Sequence, residues 1–242
     1  QFVSGRFVLG EKRLVFQEGA SIAGMSQLTT LLAFAFTNQT VSIYTVQQGE
    51  ECLALQLSFR LTEGSCRSLA FHRSRPVLAL ALEPSPAAPQ PALLVFDYRA
   101  RAYLQKQTCL LGAASAVAFN DRGWLAVGDF YGAVRLFDLD SQLNFVSFEH
   151  ALGKVTDLCF KDSLTLFAAS LDGRVRGYDL RKFKLFRELT VQPLAQILCL
   201  ASDGRDSIFG AAGDSFQVHC WSIQTGAVLL SVAGHTSPVH LL

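Results

Sequence analysis

The sequence contains no hydrophobic stretch long enough to cross a lipid bilayer. Its longest strongly apolar runs, at 31–36 and 77–82, are six residues each, whereas a membrane-spanning helix needs about 18 or more. It also lacks an excess of charge of either sign, because 21 basic residues stand against 20 acidic ones. A global electrostatic field that attracts nucleic acid or membrane is therefore excluded, and any such partner has to use a local patch.

Metal-binding and redox motifs are missing as well. The cysteines lie far apart, none of them forms a Cys-x-x-Cys pair, and most sit in apolar runs such as LCF at 158–160. This pattern is typical of buried free thiols in a reducing compartment. The cysteine pattern thus predicts no metal and no redox chemistry. We also expect no cofactor and no small-molecule substrate. The six cysteines are Cys52, Cys66, Cys109, Cys159, Cys199 and Cys220.

The sequence has neither an initial methionine nor a basic-then-apolar leader. It opens on Gln1 and stops at Leu242, shortly after Gly234 and His235 begin a fresh repeat. We therefore expect the chain to be a fragment of a longer protein.

Helical periodicity is almost absent, and a repeat takes its place. The stretch 171–180, LDGRVRGYDL, joins the turn formers Asp172 and Gly173 to a short alternating strand that closes on an aromatic and an aspartate. Related segments recur at intervals of 41 to 43 residues, with one interval of 52 that contains the insertion EPSPAAPQP at 83–91. A period just above 40 residues indicates WD40 blades. The recurring aromatics are Tyr44, Phe96, Phe137, Tyr178 and Trp221.

Each repeat divides into four predicted strands, and the last complete one gives 197–201, 208–212, 216–221 and 228–232. Strands that are apolar at nearly every residue, such as LLAFAF at 31–36, favour sheets covered on both faces. The prediction is an all-β, WD40-type β-propeller with about five four-stranded blades. Rings close with about 4 to 8 blades, so we expect an arc of a larger ring, with a five-bladed closure as the alternative. The approximate units are 1–59, 60–108, 109–148, 149–190, 191–233 and the start of a blade at 234–242; within the first 30 residues the register stays unassigned.

His150 and Asp172 are the first candidates for a functional pair. In WD40 blades, a histidine before the first strand and an aspartate before the third strand join a buried hydrogen-bond network, and His235 occupies the same place in the next repeat. The alternative, a catalytic His-Asp pair, needs a nucleophile within about 3 Å, and the sequence offers no motif such as G-x-S-x-G. We therefore assign these residues to a structural network and expect no enzyme.

Six basic residues crowd the segment 174–187. They are either a solvated strand and turn or an edge that contacts phosphates, because positioning RNA requires charge rather than base-reading geometry. Arg181 and Lys182 lie in the predicted loop between the third and fourth strands and are expected to be the most accessible. No aromatic-rich platform accompanies them in the sequence. The six are Arg174, Arg176, Arg181, Lys182, Lys184 and Arg187.

The insertion at 83–91 contains four prolines in nine residues. Proline blocks strand pairing and favours an exposed, extended segment. The insertion is either a tolerated loop between blade strands or a docking segment.

The run from Val155 to Val239 closely resembles the periodic tryptophan protein 2 family. Its most specific pieces are the basic turn after Tyr178, the turn GDSF at 213–216, and WSIQTG at 221–226 running into Gly234 and His235. The resemblance extends more loosely upstream to Ala33. Tyrosine or phenylalanine replaces the usual tryptophan in four of the five repeats, which indicates a divergent member.

This resemblance implies a non-catalytic scaffold of the small-subunit processome, in the nucleus and nucleolus. Family members are built as tandem, seven-bladed WD40 propellers and serve 18S rRNA maturation. The implied partners are other processome WD40 proteins of the same subcomplex, pre-rRNA and the small nucleolar ribonucleoprotein, with no membrane. The blade pattern by itself is functionally neutral, so the alternative is a WD40 scaffold of another pathway, such as trafficking or ubiquitin ligase assembly.

Overall fold

The computed structural model describes residues 6–9, 12–15, 22–28, 30–46, 53–83, 92–107, 113–141, 143–149 and 151–240. Every regular element within these ranges is a β-strand, and none of the described residues belongs to a helix that could cross a membrane. Two compact units divide the chain, Gln1–Ala114 and Ser115–Leu242.

The first unit contains a two-stranded hairpin and two four-stranded antiparallel sheets. The hairpin pairs β1 (Arg6–Leu9) with β2 (Lys12–Val15). Sheet I comprises β3 (Ile22–Leu28), β4 (Leu31–Phe36), β5 (Thr40–Val46) and β6 (Leu53–Arg60). Sheet II comprises β7 (Cys66–Phe71), β8 (Val77–Leu82), β9 (Ala92–Asp97) and β10 (Ala102–Gln107).

The second unit contains three further four-stranded sheets of the same up-and-down order. Sheet III comprises β11 (Ala114–Phe119), β12 (Trp124–Asp129), β13 (Ala133–Asp138) and β14 (Leu143–Glu149). Sheet IV comprises β15 (Val155–Asp162), β16 (Thr165–Ser170), β17 (Val175–Asp179) and β18 (Lys184–Leu189). Sheet V comprises β19 (Ile197–Ser202), β20 (Ser207–Ala212), β21 (Val218–Ser222) and β22 (Val228–Val232).

These five sheets confirm the prediction of an all-β fold built from four-stranded, blade-like units. The second strand of each sheet carries most of the core: β8 is buried along its whole length, and β4, β12 and β16 each have a single half-buried residue. Burial of nearly every residue, rather than every second one, explains why these strands read as continuous apolar runs. The ring to which the blades would contribute stays a prediction.

The recurring aromatic closes the third strand of every sheet and faces a leucine or isoleucine on the second strand. In four sheets the outer strand carries one extra, bulged residue directly beside the aromatic's partner, and in sheet II the same irregularity falls at Leu104. A bulge bends the outer strand and increases its twist, so the side chain of the bulged residue leaves the regular alternation. The facing pairs are Tyr44 with Leu32, Phe96 with Leu78, Phe137 with Leu125, Tyr178 with Leu166 and Trp221 with Ile208.

Side chains on the first strands of the second unit link each sheet to the segment one repeat further along the chain. Ser115 Oγ donates to the Val155 carbonyl at 2.6 Å, and Thr156 Oγ1 donates to the Ile197 carbonyl at 2.6 Å. Cys199 Sγ donates to the Val239 carbonyl at 3.3 Å. In each of these hydrogen bonds the donor and the acceptor are 40 or 41 residues apart, so each first strand of the unit is tied to the start of the following repeat.

Two details differ from the sequence-based strand predictions. The predicted strand 216–221 starts at Val218 instead, because Phe216 adopts φ 57° in the preceding turn. Sheet I also has a first strand, β3, which was not assigned because IAGMSQL lacks clear alternation. Cys66, Cys199 and Cys220 are buried free thiols and Cys159 is half-buried; Cys52 and Cys109 lie outside the described residues.

Candidate functional site

Asp172 organises the tight turn between β16 and β17. Its Oδ1 accepts a hydrogen bond from the Arg174 amide at 3.1 Å, and its Oδ2 accepts one from the Leu152 amide at 3.1 Å. Gly173 follows with φ 79°, a left-handed conformation that glycine adopts without a steric penalty. The carboxylate thereby ties the turn to the loop that enters sheet IV.

Arg176 completes this network from the strand that follows the turn. The guanidinium Nη2 lies 2.7 Å from Asp172 Oδ2, and Nε donates to Glu188 Oε1 at 3.0 Å. Although burial opposes its ionisation, the hydrogen bonds from Arg176 and from the Leu152 amide hold the pKa of Asp172 below its usual range. Arg176 is 2% exposed, so its charge serves the interior of the blade rather than the surface.

Sheet III repeats the same arrangement with different residues. Arg135 occupies the position of Arg176, and its Nη1 lies 2.6 Å from Asp129 Oδ2. Asp129 also accepts hydrogen bonds from the amides of Tyr131 and Ala133, both at 2.9 Å. In both sheets an aspartate near the turn before the third strand therefore neutralises a buried arginine of that strand. The aspartate directly precedes the glycine of the turn in sheet IV, whereas in sheet III it is the last residue of β12.

Two other sheets place smaller polar pairs at this position of the third strand. Ser42 Oγ lies 3.0 Å from Ser58 Oγ in sheet I, and His219 Nδ1 lies 2.8 Å from Ser231 Oγ in sheet V. Burial lowers the pKa of His219, which favours a neutral imidazole. Sequence reasoning missed this recurring buried polar position in the third strand; its only signal was the arginine that follows valine in both AVRLFD and RVRGYD.

Of the two histidines predicted to join the structural network, only His235 belongs to the described residues. His150 lies outside the described residues, as does most of the proline-rich insertion, 84–91. His235 is exposed. The roles proposed for His150 and His235 therefore stay predictions.

The remaining five basic residues of the segment 174–187 divide by their partners. Arg174 pairs with Glu188 at 3.1 Å, and Arg181 makes two contacts with Asp179, at 2.9 and 3.0 Å. Arg187 donates to the Gln224 carbonyl at 2.8 Å. Lys182 and Lys184 are exposed and form no ion pair with the described residues. The Arg181 side chain is 67% exposed as well, so these two lysines differ from it in having no ion-pair partner among the described residues.

Aromatic side chains meet the basic turn at the junction of sheets III and IV. The ring of Phe183, between the two lysines, lies 6.1 Å from that of Phe145 between centroids, at an interplanar angle of 76°. Phe145 in turn lies 5.0 Å from Trp124 in an edge-to-face contact. The sequence separates these rings by about 60 residues, which is why a local search for an aromatic platform found none.

A second exposed surface lies at the opposite edge of these sheets, where the turns before the third strands are found. Tyr131 is 76% exposed, Leu152 is 89% exposed and Leu194 is 55% exposed. Neighbouring loops contact one another at this end of the sheets. Gly132, beside Tyr131, lies against Ala151, and Gly173 lies against Leu194. The Leu171 amide donates to the Lys154 carbonyl at 3.0 Å. Exposed apolar side chains grouped on adjacent loops are typical of protein interaction surfaces. Within the described ranges, no cluster of three or more histidine, cysteine or acidic side chains is arranged to hold a metal ion.

Comparison with known proteins finds the same relative in several eukaryotes. The chain is 28% identical over 214 residues to the periodic tryptophan protein 2 homolog of Caenorhabditis elegans, covering 87% of this chain and 23% of that protein. It is 32% identical over 151 residues to periodic tryptophan protein 2 of Arabidopsis thaliana and 34% identical over 150 residues to the Mus musculus homolog, covering 61% of this chain in each case and 17% and 16% of those proteins. No protein-family model matches the chain. The chain is therefore homologous to periodic tryptophan protein 2, and it spans less than a quarter of the length of these relatives.

Proposed function

We propose that this chain is part of a non-catalytic WD40-type scaffold that acts in small ribosomal subunit biogenesis. Its role would be to organise processome proteins on pre-rRNA for 18S rRNA maturation. The observation that carries the proposal is that five blade-like sheets coincide with similarity to periodic tryptophan protein 2 over most of the chain.

The use of the titratable side chains supports a scaffold rather than an enzyme. Asp172 and Asp129 are each committed to a buried arginine and to turn amides. Burial raises the pKa of Tyr178 to about 12, which keeps the phenol neutral. The Tyr178 ring also stacks on the ring of Phe148. Groups engaged in this way stabilise the blades and are not poised for proton transfer or nucleophilic attack.

The exposed apolar loops of the second unit support contacts with other proteins. Tyr131, Leu152 and Leu194 offer apolar side chains on one edge of three successive sheets, and apolar or aromatic anchors provide most of the energy in protein interfaces. The proposed partners are other WD40 proteins of the same processome subcomplex. We further propose that the protein lies close to pre-rRNA and the small nucleolar ribonucleoprotein in the nucleolus.

Affinity purification of the tagged full-length protein, with mass spectrometry and RNA sequencing of one eluate, tests this function. We expect processome WD40 proteins together with the 5′ region of pre-rRNA, and a tagged protein concentrated in the nucleolus. Recovery of coat or ubiquitin ligase subunits without pre-rRNA would refute the proposal and favour a scaffold of another pathway. The variant Leu152→Asp, at an exposed loop residue, is expected to lose protein partners without losing stability. The comparison variant Leu180→Ala, at a buried side chain, is expected to lower stability, so the two variants separate loss of partners from loss of folding.

A further inference from the structure

Three aromatic rings form a continuous row at the junction of sheets III and IV. Trp124 begins β12, Phe145 lies in β14, and Phe183 lies in the turn between β17 and β18. Neighbouring ring centroids are 5.0 and 6.1 Å apart, both in edge-to-face contacts. Phe145 is 38% exposed and Phe183 is 43% exposed, so ring surface remains accessible at one edge of the second unit.

The local backbone explains why two of these rings point outward. Phe145 is the bulged residue of β14, since Leu136 pairs with Val146 and Phe137 pairs with Asn144. Phe183 adopts φ 50°, a left-handed conformation that bulky residues rarely take. In sheet V the equivalent turn position is occupied by Gly226, with φ 78°, so a glycine can form this turn. Neither the fold of the turn nor the core requires an aromatic ring at position 183.

Cations flank both ends of the row. The Arg122 guanidinium lies 5.8 Å from the centroid of the Trp124 ring, which is cation–π distance. Lys182 and Lys184 adjoin Phe183 in the sequence and are exposed. None of the three forms an ion pair with a described residue.

Two carboxylates at the same end of the sheets, Asp179 and Asp138, are engaged by their own turns. Asp179 binds Arg181 through both oxygens. Asp138 accepts hydrogen bonds from the Asp140 amide and from Ser141 Oγ, at 3.1 and 3.2 Å. Arg122, Lys182 and Lys184 are therefore cations beside the rings that form no ion pair with a described carboxylate.

We propose that this row, which we call the ring edge (Arg122, Trp124, Phe145, Lys182, Phe183 and Lys184), binds single-stranded RNA. Bases stack on accessible aromatic faces while flanking cations contact the phosphates, a combination that tolerates any sequence. Exposed rings alone would also suit a protein partner, but the three cations beside them favour a polyanionic strand. This inference rests on the proposed function, because that function places the chain beside RNA.

Binding of a fluorescein-labelled ten-nucleotide oligouridylate to the purified 242-residue chain, measured by fluorescence anisotropy, tests the ring edge. The decisive variant is Phe183→Gly, which removes the ring and relieves the left-handed backbone. We expect an unfolding midpoint at or above that of the unsubstituted chain, because glycine suits this φ. We expect the Kd for the oligouridylate to rise about tenfold, the effect of losing one base-stacking contact.

The matched control is Arg101→Gly. Arg101 has φ 54° at the same turn position of sheet II, so this variant makes the same backbone change and removes a cation from another turn. We expect it to leave the Kd unchanged. In the double variant Lys182→Ala with Lys184→Ala, the slope of log K against the logarithm of the salt concentration is expected to become less steep by about 1.4. This change corresponds to two lost phosphate contacts on a single strand.

The proposal is overturned if the unsubstituted chain does not bind the oligouridylate, if Phe183→Gly binds as tightly as the parent, or if Arg101→Gly loses as much affinity as Phe183→Gly. These results leave the scaffold function open, because processome proteins would still be recovered with the full-length protein. Conversely, oligouridylate binding at the ring edge combined with an eluate free of processome proteins would refute the scaffold function alone.

Discussion

Phe148, on the outer strand of sheet III, stacks on Tyr178 of sheet IV with 4.3 Å between ring centroids and 23° between planes. Both side chains are buried, at 3% and 0% exposure. Phe59 and Phe96 make the same contact between sheets I and II, at 4.4 Å. In sheet V the indole Nε1 of Trp221 donates to the Thr190 carbonyl, at the end of the preceding outer strand. In sheets II, IV and V the recurring aromatic therefore joins the sheet to the one before it.

Removing the Tyr178 ring should destabilise the second unit strongly. Tyr178→Ala leaves a cavity between two sheets, and we expect the free energy of unfolding to fall by about 3 to 5 kcal/mol. Urea denaturation followed by tryptophan fluorescence measures the change. The control is Tyr131→Ala, which makes the same substitution at a residue that is 76% exposed and should cost less than about 0.5 kcal/mol. Equal losses for both variants would contradict the inter-sheet role.

The buried ion pair between Arg176 and Asp172 should be sensitive to removal of either partner. Arg176→Met leaves Asp172 without its cation, and we expect a loss of about 3 to 5 kcal/mol, because an uncompensated buried charge is costly. Arg174→Met, directly before the same strand, is the control, since the Arg174 side chain is 44% exposed and an exposed pair contributes less than about 1 kcal/mol. Urea midpoints at pH 7 compare the two variants, and a larger effect for Arg174→Met would refute the assignment.

The same ion pair predicts a loss of stability in acid. The pKa of Asp172 is lowered from 3.8 in the folded chain, so its contribution is present above that value and disappears as the pH falls through the lower, folded pKa. Asp172→Asn should remove this part of the pH dependence. The measurement is the difference in unfolding free energy between parent and variant from pH 5 to pH 2, and a difference that does not shrink in acid contradicts the prediction.

Asp157 should produce the opposite pH dependence. Its Oδ2 accepts a hydrogen bond from the Leu200 amide of sheet V at 2.7 Å, but burial raises its pKa from 3.8 to about 6. A raised folded pKa stabilises the protein while the group is protonated, and this stabilisation is lost as the pH rises from about 4 through about 6. The unfolding free energy of the parent minus that of Asp157→Asn should therefore decrease over this interval. A flat difference would show that Asp157 does not titrate there.

Asn120 should couple the turns of sheets III and IV. Its Oδ1 accepts hydrogen bonds from the Arg122 and Trp124 amides, and its Nδ2 donates to the Ser163 carbonyl at 3.0 Å. Asn120→Ala leaves buried groups unsatisfied and should cost about 1 to 3 kcal/mol. Asn120→Asp keeps the acceptors for the turn and loses only the donor to Ser163, so it should destabilise the contact between sheets while preserving the turn. Hydrogen exchange at the Trp124 amide distinguishes the two effects. We expect faster exchange in Asn120→Ala than in Asn120→Asp, and equally fast exchange in both variants would contradict this prediction.

Sequence alone was sufficient for the blades because the information that specifies them is local. The apolar run at 31–36, the turn Asp172-Gly173 and the aromatic that closes each third strand are short patterns that repeat about every 40 residues. Where the local pattern was weak, as in β3, or where a left-handed residue extended a turn, as at Phe216, the strand bounds were missed.

The role of each charged or aromatic side chain was decided by the tertiary structure. Arg176 and Lys182 read alike in the sequence, yet pairing with Asp172 and Glu188 buries the first, while the turn exposes the second. Phe145 and Phe183 come from different repeats and meet only because two sheets pack side by side. A repeat period determines which strands pair within a blade, whereas contacts between blades depend on packing, and it is packing that separates the buried arginines from the exposed ring edge.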